Sequence, residues 1–252
     1  MSAGHCHPLY LPGYSPVHRL APEVKIVAAF GVVVCVVATP REAFWTFGGY
    51  LVLLAAVWVL AAIPPGWIAR RALIELPFVV LAVLLPFAEG GDRVEVAGMS
   101  LSVAGMLAGW NIIVKGTLGV LTSLTLAATT PVRDLLLGLQ RLHIPSAITT
   151  IATLMLRYVD VIVGEARRMR VARISRGHDP RLLWQAGATA RGVGSLFLRS
   201  YERGERVHLA MLARGWTGAM PTLTTTRTAA QEWALGLLPV GVALVLAAGA
   251  WW

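Results

Sequence analysis

Five apolar stretches, each about as long as a lipid bilayer is thick, constrain this chain more than any other feature. A transmembrane helix needs about 20 apolar residues, and the five candidates are residues 20–38, 44–63, 72–88, 103–128 and 233–252. In the last stretch, Trp233 and Trp251 are separated by about 27 Å of helix, so both can lie at membrane interfaces. We therefore expect an all-α integral membrane protein with about five transmembrane helices.

The composition excludes the main alternatives. Only 14% of the residues are charged and 56% are hydrophobic, whereas a soluble domain has about 25% charged residues. The high apolar content also excludes a disordered chain. Two cysteines are too few for a secreted domain built on disulfides. What remains is a membrane protein with a substantial polar part.

Charges between the apolar stretches predict the orientation in the membrane. Loop 64–71 has two arginines and no acid, loop 89–102 has three acids and one arginine, and segment 131–216 has 14 arginines and six acids, a net charge of +8. Because Lys and Arg are enriched on the cytoplasmic side, we expect a multi-pass protein of the bacterial plasma membrane with a cytoplasmic N-terminus. We interpret the basic charge as membrane sidedness and predict no nucleic-acid partner.

The order of apolar and polar stretches divides the chain into three predicted regions. Residues 1–128 hold the N-terminal tail and four transmembrane helices, 129–227 form a cytoplasmic insert, and 228–252 form the last transmembrane helix. The insert has start and stop signals for one short and two long helices. The first long helix, of about 31 residues, opens at Pro145 and ends near Gly177, and the second ends near Gly215.

One alternative topology stays open. Residues 144–163 are apolar enough to be a further span, but they contain Arg157 and Asp160. A charge at the bilayer centre costs about 3 kcal/mol. We therefore favour an amphipathic helix that does not cross the membrane.

The second long helix of the insert carries small residues at helical spacing. Ala186, Ala190 and Gly194 lie at positions i, i+4 and i+8. Small residues let another helix approach closely, so we predict that the two long helices cross at this face. The alternative is a flexible or kinked helix, because glycine within a helix costs about 1 kcal/mol relative to alanine.

Both long helices end in the same pattern. The pattern is a small residue, an arginine and a glycine, and its copies are Ser175-Arg176-Gly177 and Ala213-Arg214-Gly215. Glycine can adopt the left-handed C-cap conformation, and a cation is favoured at a helix C-terminus. Ordinary helix caps are the alternative interpretation. Two matched copies at the ends of two long polar helices favour a partner with two equivalent subunits.

Lys115 lies inside the fourth apolar stretch. About 18 Å of helix separates Lys115 from the start of this stretch. Charged side chains within a membrane are candidates for function. One alternative is that the span starts later in the chain. The other is an ion pair with an acid such as Glu75 that only stabilises the fold.

No catalytic, nucleotide or metal site is predicted. A P-loop requires G-x-x-x-x-G-K-[ST], and segment 109–115 has the length but carries Val114 in place of the second glycine. His5, Cys6 and His7 have side chains that bind transition metals, but we interpret them as part of a mobile tail. We expect neither an enzyme nor a bound cofactor, and energy must come from partner subunits.

The chain resembles the transmembrane T component of energy-coupling factor (ECF) transporters, in particular the cobalt and nickel type called CbiQ. The resemblance covers nearly the whole chain. Its motifs are SPVHRLAP at 15–22, Leu156-Arg157-Tyr158, EARRM at 165–169, Ser175-Arg176-Gly177, and YERGERV at 201–207 followed by Ala213-Arg214-Gly215. In that family, each of two such tips docks into one of two ATPase subunits. The first copy has Ser in place of Ala, a change between small residues.

The resemblance implies partners and a mechanism. A membrane-embedded S component would bind the metal ion, two P-loop ATPase subunits would supply energy, and Arg176 and Arg214 would transmit force. A small accessory membrane subunit is a further candidate partner. Cobalt uptake is the expected function, and nickel uptake or the permease of an ordinary ABC importer are alternatives. A membrane-embedded enzyme would need acids or histidines clustered near span ends, which the sequence does not contain.

Overall fold

The computed structural model describes residues 9–88, 93–96, 99–177, 186–218 and 228–252. The elements in chain order are α1 (Pro16–Arg19), α2 (Pro22–Ala38), α3 (Phe44–Ala61), α4 (Pro65–Ala72), a 3-10 turn (Leu73–Glu75), α5 (Leu76–Ala88), β1 (Arg93–Val96), β2 (Met99–Ser102), α6 (Val103–Thr129), α7 (Val132–Arg141), α8 (Ser146–Ser175), α9 (Ala186–Ala213) and α10 (Ala230–Gly249). The predicted helical fold class is confirmed, with one short antiparallel hairpin, β1–β2, added before α6. The tail residues His5, Cys6 and His7 lie outside the described residues.

The chain divides into two compact units. The first comprises Met1–Leu139 and Thr226–Trp252, and the second comprises Gln140–Thr225. The charge pattern assigns α7 to the insert, whereas the structure groups most of α7 with the first unit. The reason is Gly138 of α7, where a Cβ atom would lie 2.9 Å from the backbone nitrogen of Glu23. At that glycine, α7 packs directly on the first turn of α2.

Four helices in the described ranges are long and apolar enough to cross a membrane, judged by length and composition: α3, α6, α8 and α10. Three of them, α3, α6 and α10, coincide with predicted spans. The other two predicted spans correspond to shorter helices, α2 with 17 residues and α5 with 13. The remaining helix, α8, contains the segment whose topology the sequence leaves open.

The third predicted span starts later than expected. The pattern places its first residue at Ala72, but Ala72 ends α4, and a 3-10 turn separates α4 from α5. In this turn, Glu75 is only 5% exposed. Its carboxylate accepts a hydrogen bond of 3.1 Å from the hydroxyl of Thr117 in α6. The change in helix geometry therefore accompanies a polar contact between the turn and α6.

Glycines bring α5 and α6 into close contact. A Cβ atom at Gly109 would lie 2.5 Å from the carbonyl oxygen of Ala82, and one at Gly105 would lie 2.7 Å from that of Leu85. The two glycines are four residues apart, the spacing at which small residues share one helix face and allow backbones to approach. This G-x-x-x-G pair is readable in the sequence.

A buried hydroxyl pair joins three helices of the first unit. The hydroxyls of Thr39 and Tyr50 lie 2.9 Å apart, and Tyr50 donates a hydrogen bond of 3.2 Å to the carbonyl oxygen of Ala243 in α10. Tyr50 of α3 is completely buried. A buried polar group is stable only when it is hydrogen-bonded, so these contacts specify how α3 packs against α10 and the end of α2.

Candidate functional site

The C-terminal tip of α8 is capped by a left-handed glycine. Ser175 is the last helical residue. The backbone N–H of Arg176 donates to the carbonyl oxygen of Arg173 at 3.2 Å, and that of Gly177 donates to Ile174 at 2.9 Å. Gly177 has φ +77°, a conformation that a residue with a Cβ atom adopts only with strain. The three residues of this tip are exposed.

The C-terminal tip of α9 repeats this geometry. Ala213 is the last helical residue. The N–H of Arg214 donates to Met211 at 3.1 Å, and that of Gly215 donates to Leu212 at 2.9 Å. Gly215 has φ +78°, and the residues of this tip are also exposed. The two sequence copies therefore form the same local structure.

Among the described residues, the guanidinium groups of both tip arginines, Arg176 and Arg214, have no hydrogen-bond or ion-pair partner. Each guanidinium offers five N–H donors in a rigid fork. Backbone bonds satisfy the helix ends at both tips, so the arginine side chains are not needed as caps. They remain available to carboxylates or carbonyl groups of a partner.

Helices α8 and α9 lie side by side and antiparallel. Arg199 of α9 forms an ion pair of 2.6 Å with Glu165 of α8. Closer to the end of α8, Met169 lies 3.7 Å from the position of a Cβ atom at Gly192, near the start of α9. The C-terminal tips are therefore at opposite ends of the pair. Since α8 has 30 residues, it is about 45 Å long, and one compact site cannot include both tips.

The ion pair between α8 and α9 is reinforced within α8. Arg168 donates a second hydrogen bond of 3.1 Å to the carboxylate of Glu165. Hydrogen bonds from Arg199 and Arg168 hold the pKa of Glu165 below its usual range. Glu165 therefore stays ionised at neutral pH and holds the two helices together at this level.

At Ala190 and Gly194, the described side chains of the predicted crossing face do not pack closely against α8. Ala190 is exposed, and a Cβ atom at Gly194 would have no neighbour within 4 Å among the described residues. Gly192 approaches α8 instead. Residues two apart point about 200° apart around a helix, so α8 packs against nearly the opposite side of α9 from the face formed by Ala190 and Gly194. Ala186, the third residue of the predicted face, begins α9.

A groove between α8 and α9 has a volume of about 500 Å³. Apolar side chains, including Leu154, Val207 and Met211, form much of its wall. Two polar atoms on the same wall, Oγ1 of Thr150 and Nε1 of Trp216, are buried without a hydrogen-bond partner among the described residues. A partner group that forms hydrogen bonds with both atoms would satisfy them. This groove was not predicted from the sequence, although its α9 residues recur at helical spacing.

Lys115 is hydrogen-bonded to the end of another helix. Its Nζ donates to the carbonyl oxygen of Val37 at 2.8 Å. Val37 lies in the last turn of α2, where carbonyl groups lack partners within the helix and a cation is favoured. No ion pair joins Lys115 to Glu75 in the described ranges. Helix α6 begins at Val103, the first residue of the predicted stretch.

The chain matches a known protein family over most of its length. The family model described as cobalt transport protein, CbiQ, matches residues 13–225. A cobalt transport protein CbiQ from Rhodobacter capsulatus is 33% identical over 199 residues, which are 78% of this chain and 79% of that protein. The energy-coupling factor transporter transmembrane protein EcfT from Bacillus selenitireducens is 29% identical over 225 residues, covering 83% of this chain and 82% of that protein.

A third relative is a fused protein. The cobalt transport protein CbiMQ from Methanocorpusculum labreanum is 24% identical over 221 residues, which are 82% of this chain but 36% of that protein. The segment matched by the family model includes both arginine tips, Lys115 and the predicted crossing face.

Proposed function

Because this chain belongs to the cobalt transport protein family CbiQ, we propose that it is the transmembrane coupling subunit, or T component, of an ATP-driven ECF importer for cobalt. The proposal agrees with the names of its relatives from Rhodobacter capsulatus and Bacillus selenitireducens. The observation that carries it is the pair of matched, exposed arginine tips.

The two tips support two ATPase partners. Arg176 and Arg214 have the same local geometry, and they lie at opposite ends of an antiparallel helix pair about 45 Å long. Two identical contacts at that separation suit two equivalent subunits, one at each tip. The sequence has no P-loop of its own, so ATP hydrolysis is assigned to these partners and the chain itself is not a catalyst.

The first half of α8 supports contact with a membrane-embedded partner, the metal-binding S component. Ile148, Ile151, Met155 and Val159 recur at helical spacing, and each is at least 47% exposed. Exposed apolar residues that share one helix face are typical of an interaction site. The neighbouring groove, with its two unpartnered polar atoms, adds groups that a partner would complete.

The fused relative supports a CbiM protein as a partner of this chain. The protein from Methanocorpusculum labreanum is named as a CbiMQ fusion, and this chain covers 36% of it. By that name, a CbiM part accompanies a CbiQ part in one polypeptide. We therefore assign a CbiM protein, with or without a small accessory membrane subunit, as a partner of this chain.

The proposed topology places the N-terminus and residues 129–227 in the cytoplasm. The net charge of +8 in segment 131–216 supports this side. Helix α8 has the length and composition of a span. However, Arg157 and Asp160 lie within it, and ionised side chains are costly in a bilayer. We therefore assign α8 to the cytoplasmic side.

Reconstitution with the partners tests the proposed function. The chain is co-expressed with candidate ATPase and S component subunits, and ATP-dependent uptake is measured for cobalt, with nickel as a competitor. We expect two ATPase subunits to co-purify and cobalt uptake to require this chain. Preferential nickel uptake would change the assigned metal alone. Cobalt uptake that persists without this chain would contradict the proposal.

A control separates the ECF importer from an ordinary ABC importer. An ordinary permease usually presents one short cytoplasmic coupling loop, so one substitution would suffice to release its ATPase. This chain presents two tips. We expect each of Arg176→Ala and Arg214→Ala to leave the other ATPase contact in place.

A further inference from the structure

Both places where the chain passes between its two units are fastened to the first turn of α2. The chain leaves the first unit after Leu139 and re-enters it at Thr226. Gly138 lies one residue before the first passage, and Thr228 lies two residues after the second. Within the first unit, both residues contact Glu23 at the start of α2.

The outgoing connection is held by close backbone packing. A Cβ atom at Gly138 would lie 2.9 Å from the nitrogen of Glu23 and 3.0 Å from the carbonyl carbon of Pro22. These neighbours are backbone atoms, so they cannot move aside as a flexible side chain can. Asp134, one turn earlier in α7, adds electrostatic attraction to Lys25 of α2.

The returning connection is held by a buried carboxylate. Glu23 is only 4% exposed, and its carboxylate accepts a hydrogen bond from the hydroxyl of Thr228. Two residues after Thr228, α10 begins, and it packs against α2 so closely that a Cβ atom at Gly236 would collide with Val24. The start of α10 therefore has a polar and an apolar attachment to the same turn.

Lys25 links this turn to two more elements. Its side chain, 7% exposed, donates a hydrogen bond of 3.0 Å to the carbonyl oxygen of Thr129, the last residue of α6, and one of 3.4 Å to that of His18 in α1. The end of α6 is also bound by the N–H of Leu11, which donates to Ala128 at 3.0 Å. The carbonyl groups at this helix end have no partners within the helix, so these bonds fix its position.

We propose that the first turn of α2 is the joint through which displacement of the coupling helices reaches the transmembrane helices, with Glu23 and Lys25 as its positioning residues. This inference rests on the proposed function. A force that enters through α7 is applied to α2 at Gly138, and Lys25 passes it to the end of α6. Glu23 attaches the start of α10 to the same turn of α2 through its hydrogen bond with Thr228. Closely packed, hydrogen-bonded elements transmit displacement because they cannot deform continuously.

The test compares ATP hydrolysis with cobalt uptake in the complete transporter. Lys25→Met removes the cation and keeps an unbranched apolar side chain. The arginine tips are unchanged, so we expect ATPase co-purification and ATP hydrolysis at wild-type levels. Cobalt uptake per ATP is expected to fall about tenfold, because the variant loses both hydrogen bonds that the Lys25 cation donates, to Thr129 and to His18. Lys25→Arg, which keeps the cation, is expected to recover part of the uptake.

Two further variants complete the experiment. Thr228→Val removes only the hydroxyl that donates to Glu23, and it is expected to uncouple in the same direction and to a smaller degree. Thr122→Val is the matched control, because the buried hydroxyl of Thr122 donates only within its own helix, to Leu118 at 2.7 Å. We expect this control to keep the wild-type ratio of cobalt transported to ATP hydrolysed.

The outcomes separate the joint from the proposed function. An unchanged ratio in both Lys25→Met and Thr228→Val would overturn the joint while leaving the arginine tips intact as coupling contacts. Loss of ATPase binding in Lys25→Met would also overturn it, because the residue would then serve assembly rather than transmission. Failure of the wild-type chain to bind any ATPase would instead remove the proposed function.

Discussion

Arg199 of α9 and Glu165 of α8 form a hydrogen-bonded ion pair with a distance of 2.6 Å. The pair lies along the length of the two helices rather than at either tip, and Arg168 of α8 donates a further hydrogen bond of 3.1 Å to Glu165. It therefore holds together the two helices that carry the arginine tips.

Acid should weaken the α8–α9 pair. The pKa of Glu165 is lowered by hydrogen bonds from Arg199 and Arg168. A depressed pKa in the folded state means that the stabilisation is complete above the unfolded value of about 4.3 and is lost as pH falls through the lower folded value. We expect the melting temperature of the wild type to fall more steeply in this acidic range than that of Glu165→Gln, measured on purified protein in detergent.

Glu202→Gln is the matched control for that measurement. Glu202 and Arg206 are 4.0 Å apart on the exposed surface of α9, and exposed pairs of this kind contribute little. Its acid profile should match that of the wild type. Superimposable profiles for Glu165→Gln and the wild type would show that the pair does not stabilise the folded chain.

The arginine tips should act as paired anchors. Arg176→Ala or Arg214→Ala is expected to weaken ATPase binding by about 2–5 kcal/mol at the altered tip, the cost of truncating one partner of a buried charged contact. The double variant should lose both contacts and cobalt uptake, while the transmembrane unit stays folded. Lysine should substitute poorly, because it keeps the charge but not the planar fork.

Arg191→Ala is the control for the tips, since Arg191 is an exposed arginine of α9 away from its C-terminus. The measurements are ATPase co-purification and cobalt uptake. Normal assembly and uptake in the double variant would mean that the matched tips are only helix caps.

Gly194 of α9 and Gly215, which lies just beyond the C-terminal end of α9, should respond to alanine in opposite directions. Gly215 has φ +78°, so Gly215→Ala should cost about 1–2 kcal/mol of stability. Gly194 is inside the helix with open space around a Cβ position, so Gly194→Ala should stabilise by about 0.5–1 kcal/mol. Chemical denaturation measures both effects. A loss of stability in Gly194→Ala would instead support the close helix crossing at this face that the sequence predicts.

The contact between α5 and α6 should be intolerant of added volume. Gly109→Ala places a methyl group 2.5 Å from the carbonyl oxygen of Ala82, and such overpacking costs about 1–3 kcal/mol. Gly119→Ala in the same helix meets nothing within 4 Å and is the matched control. Thermal unfolding in detergent should place Gly109→Ala well below the control. Equal melting temperatures would contradict the close packing.

Cysteine labelling should establish the topology. Val94 is exposed on β1, in the acidic loop, and Gly177 is exposed at the tip of α8. In a background without Cys6 and Cys35, we expect an impermeant reagent added outside to label Val94→Cys. Gly177→Cys should react only after the membrane is opened. Labelling of Gly177→Cys in intact cells would show that α8 crosses the membrane.

The local features of this protein were readable from its sequence. Apolar length predicts the spanning helices α3, α6 and α10, and the Arg-Gly endings predict caps that the structure confirms at Gly177 and Gly215, with φ values one degree apart. These features depend on a few neighbouring residues, because helix length and helix termination are set by local backbone conformation and side-chain polarity.

Which surfaces meet was decided only by the tertiary structure. Ala190 and Gly194 have the spacing of a close crossing, yet α8 approaches Gly192, and Lys115 donates to the carbonyl of Val37 rather than to Glu75. A pattern of small residues states that close approach is possible on a helix face, but the partner is set by residues distant in sequence. That choice depends on simultaneous packing and on satisfying buried polar groups, which no local stretch of the chain encodes.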